Sequence, residues 1–245
     1  MADRQNGSLL TFEQDKLRGR LHRLVEEIWA TDEIRTTRPT ALDEAKWGFA
    51  VIENSLWQAV PDFIRHLDRL CSRHLGQSLP IDLQPFKFYS WMGGDRDGNP
   101  NVTHKITREV LLLGRWMAAE LYSRDVYSLG GDLSMSEANE ELQSLYPSNT
   151  PYRDAMFTLR KRIQATLEWA EARLQGRAVE TPEDLIVSRD DLLEPLMVCY
   201  KSLHDVGLPH IANGPLMDTI RRIHCFGINL VPLDIRQDGE RHVKA

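Results

Sequence analysis

Helical patterning fills most of this chain, and only two short segments have the composition of β-strands. Apolar residues recur at the 3.6-residue spacing of amphipathic helices from residue 12 onward. The strand-like segments are 86–90 and 229–235, and about 140 residues of helical pattern lie between them. A chain of 245 residues with this pattern can bury a sizeable core, but it can form only a small sheet.

Capping residues, glycines and prolines set the boundaries of seven predicted helices. Thr40, with Asp43 in the following turn, has the pattern of a helix N-cap. Pro61 predicts a kink or break in that helix, Gly76 predicts its end, and Gly130 predicts the end of the next one. The predicted helices cover 12–29, 40–75, 103–129, a short segment from 134, 152–174, 188–206 and 213–224.

Charge and cysteine usage exclude several functional classes. The net charge is −6 and no basic stripe stands out, which argues against a nucleic-acid partner. No apolar run approaches 18 residues and the N-terminus lacks a hydrophobic signal region, so we expect no membrane partner. Cys71, Cys199 and Cys225 lie far apart in apolar helical contexts, as buried thiols do in a reducing compartment. We therefore predict a cytoplasmic chain.

The segment SWMGGDRDGNPNVT, residues 90–103, directly follows the first strand-like segment. Its glycines permit close approach of the backbone to a ligand, and its Asn-Pro pair stops regular structure. A strand that leads through a glycine-rich loop into a helix is the arrangement in which α/β folds bind ligands. The candidate residues of this site loop are Gly93, Gly94, Asp95, Arg96, Asp97 and Asn99.

Two common loop chemistries do not fit this segment. Asp95, Asp97 and Asn99 have the spacing that opens an EF-hand, but Pro100 and Ile106 occupy the positions that require glycine and glutamate. No Gly-Lys-Ser/Thr sequence follows the glycines, which excludes a Walker-type phosphate loop. A purely structural alternative stays open, in which the charged residues form an ion-pair knot and Asn99 forms an Asx-turn.

The segment 90–103 resembles phosphoenolpyruvate carboxylase, and three further blocks in the same order strengthen the resemblance. These blocks are 31–61, 106–116 and 199–238, so the resemblance extends over nearly the whole chain from about residue 12. Enzymes of this family are several times longer than this chain. The resemblance therefore implies an internal fragment from the N-terminal half of such an enzyme.

The family fold is an α/β barrel of the TIM type, decorated with many helices. The resemblance implies a mostly α fragment, residues 1–245, that carries about two of the parallel barrel strands. Two strands cannot close a barrel, because eight are needed. The expected parts are helices over about 12–75, a strand and site loop over 86–100, a helical insertion over 103–225 and a strand over 229–235.

The family joins bicarbonate to phosphoenolpyruvate and releases oxaloacetate and phosphate, with Mg²⁺ or Mn²⁺ as cofactor and a homotetramer as assembly. The resemblance implies this lyase activity for the parent enzyme, with phosphoenolpyruvate and bicarbonate as its ligands. Both substrates are anions, which suits the planar, permanently charged fork of arginine. An apolar wall would keep water away from the reactive intermediates.

Three site residues follow from the resemblance. Arg236 matches a family arginine that contacts the phosphate of phosphoenolpyruvate, and Trp91 matches a tryptophan near the bicarbonate site. Arg96 matches the loop arginine, and we expect it to order the anion pocket with Asp95 or Asp97.

Simpler structural roles stay open for two of these residues. Trp91 could be a core aromatic at a strand end, and Arg236 could form a surface ion pair with Asp234 or Asp238. Arg236 also ends the second strand-like segment, which is where functional residues of parallel strands lie.

The remaining basic residues carry no site signal. His204, His210 and His224 lack metal-site spacing, so we expect them at helix surfaces or helix ends. Arg221 and Arg222 are likewise predicted to lie on a helix surface.

The family's catalytic histidine block, catalytic lysine, glycine-rich loop and metal-binding carboxylates have no counterpart in this sequence. We therefore predict no catalytic residue and no metal bound within this fragment, and no activity for the isolated chain. The alternative function is that of a catalytically inactive helical scaffold or interaction subdomain.

Overall fold

The computed structural model describes residues 11–31 and 39–239, and 67% of these residues are helical. The prediction of a mostly α fold is confirmed. The chain divides into two compact units, residues 1–38 and residues 39–245. None of the helices of the described residues is long and apolar enough to cross a membrane.

The described part of the first unit contains one helix, α1 (Thr11–Ala30). Its bounds agree with the predicted 12–29. No residue of α1 is buried, although its sequence is amphipathic. The exposed apolar side chains are Phe12, Leu17, Leu21, Leu24, Val25, Ile28 and Trp29.

The second unit is a helical assembly, in which the most extensive helix pair is α4 with α6. Two short π-helical segments, Ile52–Leu56 and Ala212–Leu216, interrupt the α-helices. The α-helices among residues 39–239 are α2 (Ala41–Val51), α3 (Trp57–Leu75), α4 (His104–Asp132), α5 (Glu140–Leu145), α6 (Pro151–Leu174), α7 (Asp190–Asp205), α8 (Pro209–Ile211) and α9 (Met217–Phe226).

Several predicted helix ends hold where a capping residue or a glycine specifies them. Thr40 and Asp43 form a reciprocal capping box at the start of α2, and the Thr40 hydrogen bonds lower the pKa of the Asp43 carboxyl. Gly76 ends α3 in the left-handed conformation, with φ 68°. The Thr103 side chain accepts a hydrogen bond from Ile106 N at the start of α4.

Of the kink or break predicted at Pro61, the break is wrong, because this proline lies inside α3. The irregularity lies earlier, at the π-helical segment Ile52–Leu56. Pro61 has no N–H to donate to the carbonyl of Trp57, but Nε of Arg222 donates to that oxygen at 2.7 Å. A tertiary contact therefore replaces the missing helical hydrogen bond.

Three other predicted boundaries differ. Helix α4 continues through Gly130 to Asp132, and the short fourth helix begins only after Asn139, whose side chain caps it. The segment predicted to start the last helix instead lies in the second π-helical segment, where Gly214 has non-helical dihedrals. Gly130 is tolerated because packing against α6, rather than local propensity, holds this part of α4.

The two predicted strands do not form as strands within the described residues. One isolated parallel bridge, Ser90 with Leu233, joins segments 86–90 and 229–235, and a second, Asp95 with Arg236, lies just beyond their ends. Pro232 has no N–H to donate, and no further strand flanks the pair among the described residues. The two bridges are parallel, but the described residues of these segments form no regular strand.

The prediction that Arg221 and Arg222 lie on a helix surface is wrong. They are only 1% and 7% exposed, because nearly every face of α9 is covered by protein. Arg222 donates to Asp125 and Gln58 at 3.0 Å each, and its guanidinium lies over the Trp57 ring. These contacts connect α9 to α3 and α4.

The cysteine prediction is confirmed for one of three residues. Cys199 is buried, and desolvation raises the pKa of its thiol to about 12. Cys71 and Cys225 are half-buried, so they are not core thiols in the described fold. None of the three forms a disulfide.

Candidate anion site at the paired loop segments

Backbone hydrogen bonds place the site loop beside the end of the second strand-like segment. Ser90 N donates to Pro232 O at 3.0 Å, and Asp234 N donates to Ser90 O at 2.9 Å. Further along, Arg236 N donates to Gly94 O at 3.0 Å, and Arg96 N donates to Arg236 O at 2.9 Å. The side chains at positions 91, 95, 234 and 236 therefore share one small region.

Both loop glycines are required by this close approach. A Cβ on Gly94 would collide with the backbone carbonyl of Asp234. Gly93 has φ 77°, and a Cβ there would collide with the Val110 side chain on α4. Glycine at these two positions lets the loop lie against both the second segment and the helix.

Four side chains form a linked cluster at the paired segments. Nη1 of Arg236 lies 3.4 Å from Oδ2 of Asp95, and its Cζ lies 4.9 Å from the centre of the Trp91 ring. Nε1 of Trp91 donates to Oδ2 of Asp234 at 3.3 Å. In order of contact the cluster consists of Asp95, Arg236, Trp91 and Asp234. It contains two of the three residues predicted for substrate binding, Arg236 and Trp91.

The cluster lies at the surface of the described chain. Trp91 is 58% exposed, so it is not a core aromatic here. The Arg236 and Asp95 side chains are 47% and 37% exposed, and Asp95 supplies the carboxylate for the surface ion pair that was expected from Asp234 or Asp238. An exposed cation on an aromatic face, with acceptors on one side only, can bind an anion from solvent.

The third predicted residue, Arg96, points elsewhere. Its Nη2 donates to Thr107 Oγ1 at 3.1 Å, and that hydroxyl donates to Gly93 O at 2.8 Å. Arg96 forms no ion pair with Asp95 or Asp97, so the charged triplet is not an ion-pair knot. Arg96 instead joins the loop to α4, and its role in ordering the anion pocket stays a prediction.

The remaining loop residues act on the loop itself. Asp97 N donates to Asp95 Oδ1 at 3.3 Å, and Asn101 N donates to Asn99 Oδ1 at 3.0 Å. The second contact is the Asx-turn expected for Asn99. These bonds hold the loop conformation without a ligand.

Sequence reasoning missed Thr107 and gave Asp234 only a minor role. Asp234 precedes Arg236 by two positions, and in an extended segment such residues point to the same face. That spacing could have placed Asp234 in the site. Nothing in the sequence distinguishes Thr107 from other helical threonines.

The described residues contain no group of three histidine, cysteine, aspartate or glutamate side chains that could hold a metal ion. Asp95 pairs with Arg236, and Asp234 accepts a hydrogen bond from Nε1 of Trp91. The described residues therefore offer no three-ligand set for the divalent metal that the resemblance implies for the parent enzyme. His204 and His210 are exposed, as expected, and burial lowers the pKa of the half-buried His224.

A cavity of about 520 Å³ lies between α3, α7 and α9, away from the paired segments. Arg65, Arg69 and Arg221 line it together with Asp62 and Asp68. Arg65 already pairs with Asp218 at 2.8 Å, and Nη2 of Arg221 lies 3.7 Å from Asp68. The lining thus carries three arginines against two aspartates, and Nε and Nη1 of the buried Arg221 have no hydrogen-bond partner among the described residues.

Comparison with known proteins gives matches to one family. The family model described as phosphoenolpyruvate carboxylase matches residues 1–245. Phosphoenolpyruvate carboxylase of Hahella chejuensis is 57% identical over 96% of this chain, and that of Marinobacter nauticus is 54% identical over 97%. The enzyme of Escherichia coli O81 is 50% identical over 98% of this chain.

These matches cover only part of each relative. The chain spans 27% of the length of the Hahella and Marinobacter proteins and 28% of the Escherichia coli protein. It is therefore equivalent to about a quarter of such an enzyme, as expected for a fragment. Because the family match extends over every residue, the chain belongs to the phosphoenolpyruvate carboxylase family.

Proposed function

We propose that this chain is the part of a phosphoenolpyruvate carboxylase that supplies Arg236 to the phosphate of phosphoenolpyruvate and Trp91 to the bicarbonate site. The observation that carries the proposal is the contact between them: Cζ of Arg236 lies 4.9 Å from the Trp91 ring centre. Two residues assigned to different substrates thus lie side by side. The two substrates must also meet, because a phosphoryl group passes from one to the other.

In the proposed reaction an oxygen of bicarbonate attacks phosphorus, and the bond from phosphorus to the enol oxygen breaks. Carboxyphosphate and the enolate of pyruvate result. Carbon dioxide leaves carboxyphosphate as phosphate is released, and the enolate carbon bonds to it to give oxaloacetate. Arg236 would neutralise the phosphoryl oxygens throughout, as a fixed bidentate donor.

Trp91 would limit the access of water. Water that reaches the site would hydrolyse carboxyphosphate or protonate the enolate. The indole is 58% exposed in this chain, so we propose that other parts of the complete enzyme cover it. The two parallel bridges would then belong to a parallel barrel that these other parts complete.

Mg²⁺ or Mn²⁺ would stabilise negative charge during the reaction. The described residues contain no three-ligand group for such an ion, so we assign none of its ligands here. We also propose a cytoplasmic homotetramer for the complete enzyme. The three unpaired cysteines support a reducing compartment.

A second candidate function applies to the isolated chain. A polypeptide with the Arg236 cluster but without the family's catalytic histidine block would act as an inactive helical scaffold. The exposed apolar face of α1 favours a role in interaction for such a fragment.

Kinetics with each substrate varied separately test the proposal in a complete enzyme that contains this chain. Trp91→Ala should raise KM for bicarbonate, since the wall of that site is lost. Tyr127→Ala removes another exposed aromatic, outside the cluster, and is the matched control. A Trp91→Ala enzyme with wild-type KM for bicarbonate would contradict the assignment.

A further inference from the structure

We infer that Asp95 is a positioning residue for Arg236. It holds one end of the guanidinium so that the opposite edge, formed by Nε and Nη2, faces an incoming oxyanion. The inference rests on the proposed function of Arg236 as the phosphate ligand. It adds an acidic residue to a site that binds anions.

The guanidinium geometry is the first support. Oδ2 of Asp95 lies 3.4 Å from Nη1 of Arg236, whereas no atom of residues 11–31 or 39–239 accepts a hydrogen bond from Nε or Nη2. Arginine presents its five N–H groups in a rigid planar fork, so fixing Nη1 also fixes the direction of the other donors. Two parallel N–H groups on one edge match two oxygens of a phosphate.

The plane of the guanidinium is fixed as well. Arg236 lies over the Trp91 ring, and Trp91 Nε1 is tied to Asp234. One acidic residue therefore sets the rotation of the guanidinium within its plane, and the other holds the ring on which it lies. Both constraints act on a side chain that is 47% exposed and would otherwise sample many rotamers.

Asp95 is itself held by the backbone. Its N–H donates to Trp91 O at 2.9 Å, and its Oδ1 accepts from Asp97 N at 3.3 Å. The bridge between Asp95 and Arg236 aligns the two residues through their main chains. The carboxylate thus has one oxygen for the loop and one for Arg236.

Asp95 also has an opposing effect, because its negative charge repels a bound phosphate. A comparison with the wild type alone would mix the loss of positioning with the loss of this repulsion. Asp95→Asn and Asp95→Ala remove the same charge, but only asparagine retains an oxygen that can accept from Nη1. The difference between the two variants therefore isolates positioning.

The experiment measures KM and kcat for phosphoenolpyruvate in a complete enzyme that contains this chain. KM of Asp95→Ala should exceed that of Asp95→Asn by about three- to tenfold, as expected for one side chain that must be ordered on binding. The kcat of the two variants should be similar, because the contact holds substrate and transition state alike. In an Arg236→Ala background the two variants should have equal KM.

Three controls separate the possible failures. Asp184→Ala removes an exposed carboxylate outside the cluster and should leave KM unchanged. Thermal melting of each variant identifies loss of folding, and Asp95→Asn retains the size of the side chain if alanine is not tolerated. If only Asp95→Asn folds, its KM is compared with that of the Asp95 enzyme, with Arg236 present and in the Arg236→Ala background. In the Arg236→Ala background, the only remaining effect of Asp95→Asn on KM should be the loss of repulsion between the carboxylate and the phosphate.

Equal KM values for Asp95→Ala and Asp95→Asn, with Arg236 intact and important, would overturn the positioning role and leave the proposed function standing. A KM difference between Asp95→Ala and Asp95→Asn that persists in the Arg236→Ala background would also overturn the positioning role, because Asp95 would then act independently of Arg236. If Arg236→Ala itself leaves KM for phosphoenolpyruvate unchanged, the proposed function fails and this inference fails with it.

Discussion

Nε of Arg222 on α9 donates a hydrogen bond of 2.7 Å to the carbonyl oxygen of Trp57, the oxygen that Pro61 leaves without a helical donor. The same guanidinium binds Asp125 and Gln58. A proline that would usually break a helix is accommodated because an arginine 165 positions after Trp57 supplies the missing hydrogen bond. This buried network determines how α3, α4 and α9 pack together.

Arg222→Ala should destabilise the chain strongly. The change removes the cation from the half-buried Asp125 carboxylate, which among the described residues keeps only the donor Trp57 Nε1, and it leaves the Trp57 carbonyl without the Arg222 donor. Such losses cost about 3–5 kcal/mol. Urea denaturation followed by circular dichroism measures the effect. Arg108→Ala, an exposed arginine on α4, is the control and should change the free energy of unfolding little. Equal stability of the two variants would show that the network contributes nothing.

Gly94→Ala should disturb the contact between the two loop segments. The new methyl group would meet the Asp234 carbonyl, which is backbone and cannot move aside alone. Overpacking of this kind costs about 1–3 kcal/mol. Gly131→Ala is the matched control, because a Cβ there meets no atom and α4 is helical at that position. If both variants melt at the wild-type temperature, the close approach of the segments is not as described.

The pH dependence of stability should contain a contribution from Asp191. Burial raises the pKa of this carboxyl, but hydrogen bonds from Arg162, Ser188 and Val187 outweigh it and lower the pKa from 3.8 to about 2. A carboxyl with a lowered pKa in the folded state stabilises the fold above its unfolded pKa, and the contribution is lost as the pH falls through its folded pKa.

Asp191→Asn should therefore be less stable than the wild type at pH 7, and the gap should narrow as the pH falls below about 4. Denaturation at a series of pH values measures it. Asp184→Asn, at an exposed carboxylate, is the control for the loss of one negative charge. A gap that stays constant down to pH 3 would mean that ionisation of Asp191 does not stabilise the fold.

The isolated chain should have no carboxylase activity, since the family's catalytic histidine block, lysine and metal carboxylates have no counterpart in its sequence. A coupled assay that follows oxaloacetate, with phosphoenolpyruvate, bicarbonate and magnesium, should give the background rate. Turnover that increases with protein concentration and survives repurification would contradict this expectation.

Local sequence signals predicted the helix ends at Thr40, Gly76 and Thr103, but not those at Gly130 and Gly214. Thr40, Gly76 and Thr103 each act through neighbouring backbone groups, so the sequence near them contains the needed information. The burial of Arg221 and Arg222 depends on residues more than 90 positions away, and a local pattern of charged residues suggests a surface.

The candidate site was predictable in its residues more than in its contacts. The composition of the glycine-rich loop identified Asp95, and the resemblance to the family identified Trp91 and Arg236. The partner of Arg236 could not be predicted, because Asp95 and Arg236 are 141 positions apart and meet only through the parallel pairing of two irregular segments. The expected partners were the aspartates next to Arg236 in sequence, which a local pattern favours.

The steady-state kinetics of Arg236 variants in a complete enzyme test the central claim most directly. Arg236→Ala should lower kcat/KM for phosphoenolpyruvate by tens-fold to a few thousand-fold, since loss of one partner from a desolvated charge pair costs about 2–5 kcal/mol. Arg236→Lys should recover only part, because an ammonium group cannot reproduce the fork. Arg108→Ala is the control, since the buried Arg221 and Arg222 would alter folding. If Arg236→Ala has kcat/KM within about twofold of the wild type, less than half a kcal/mol, Arg236 is a surface ion-pair residue and the assigned site is wrong.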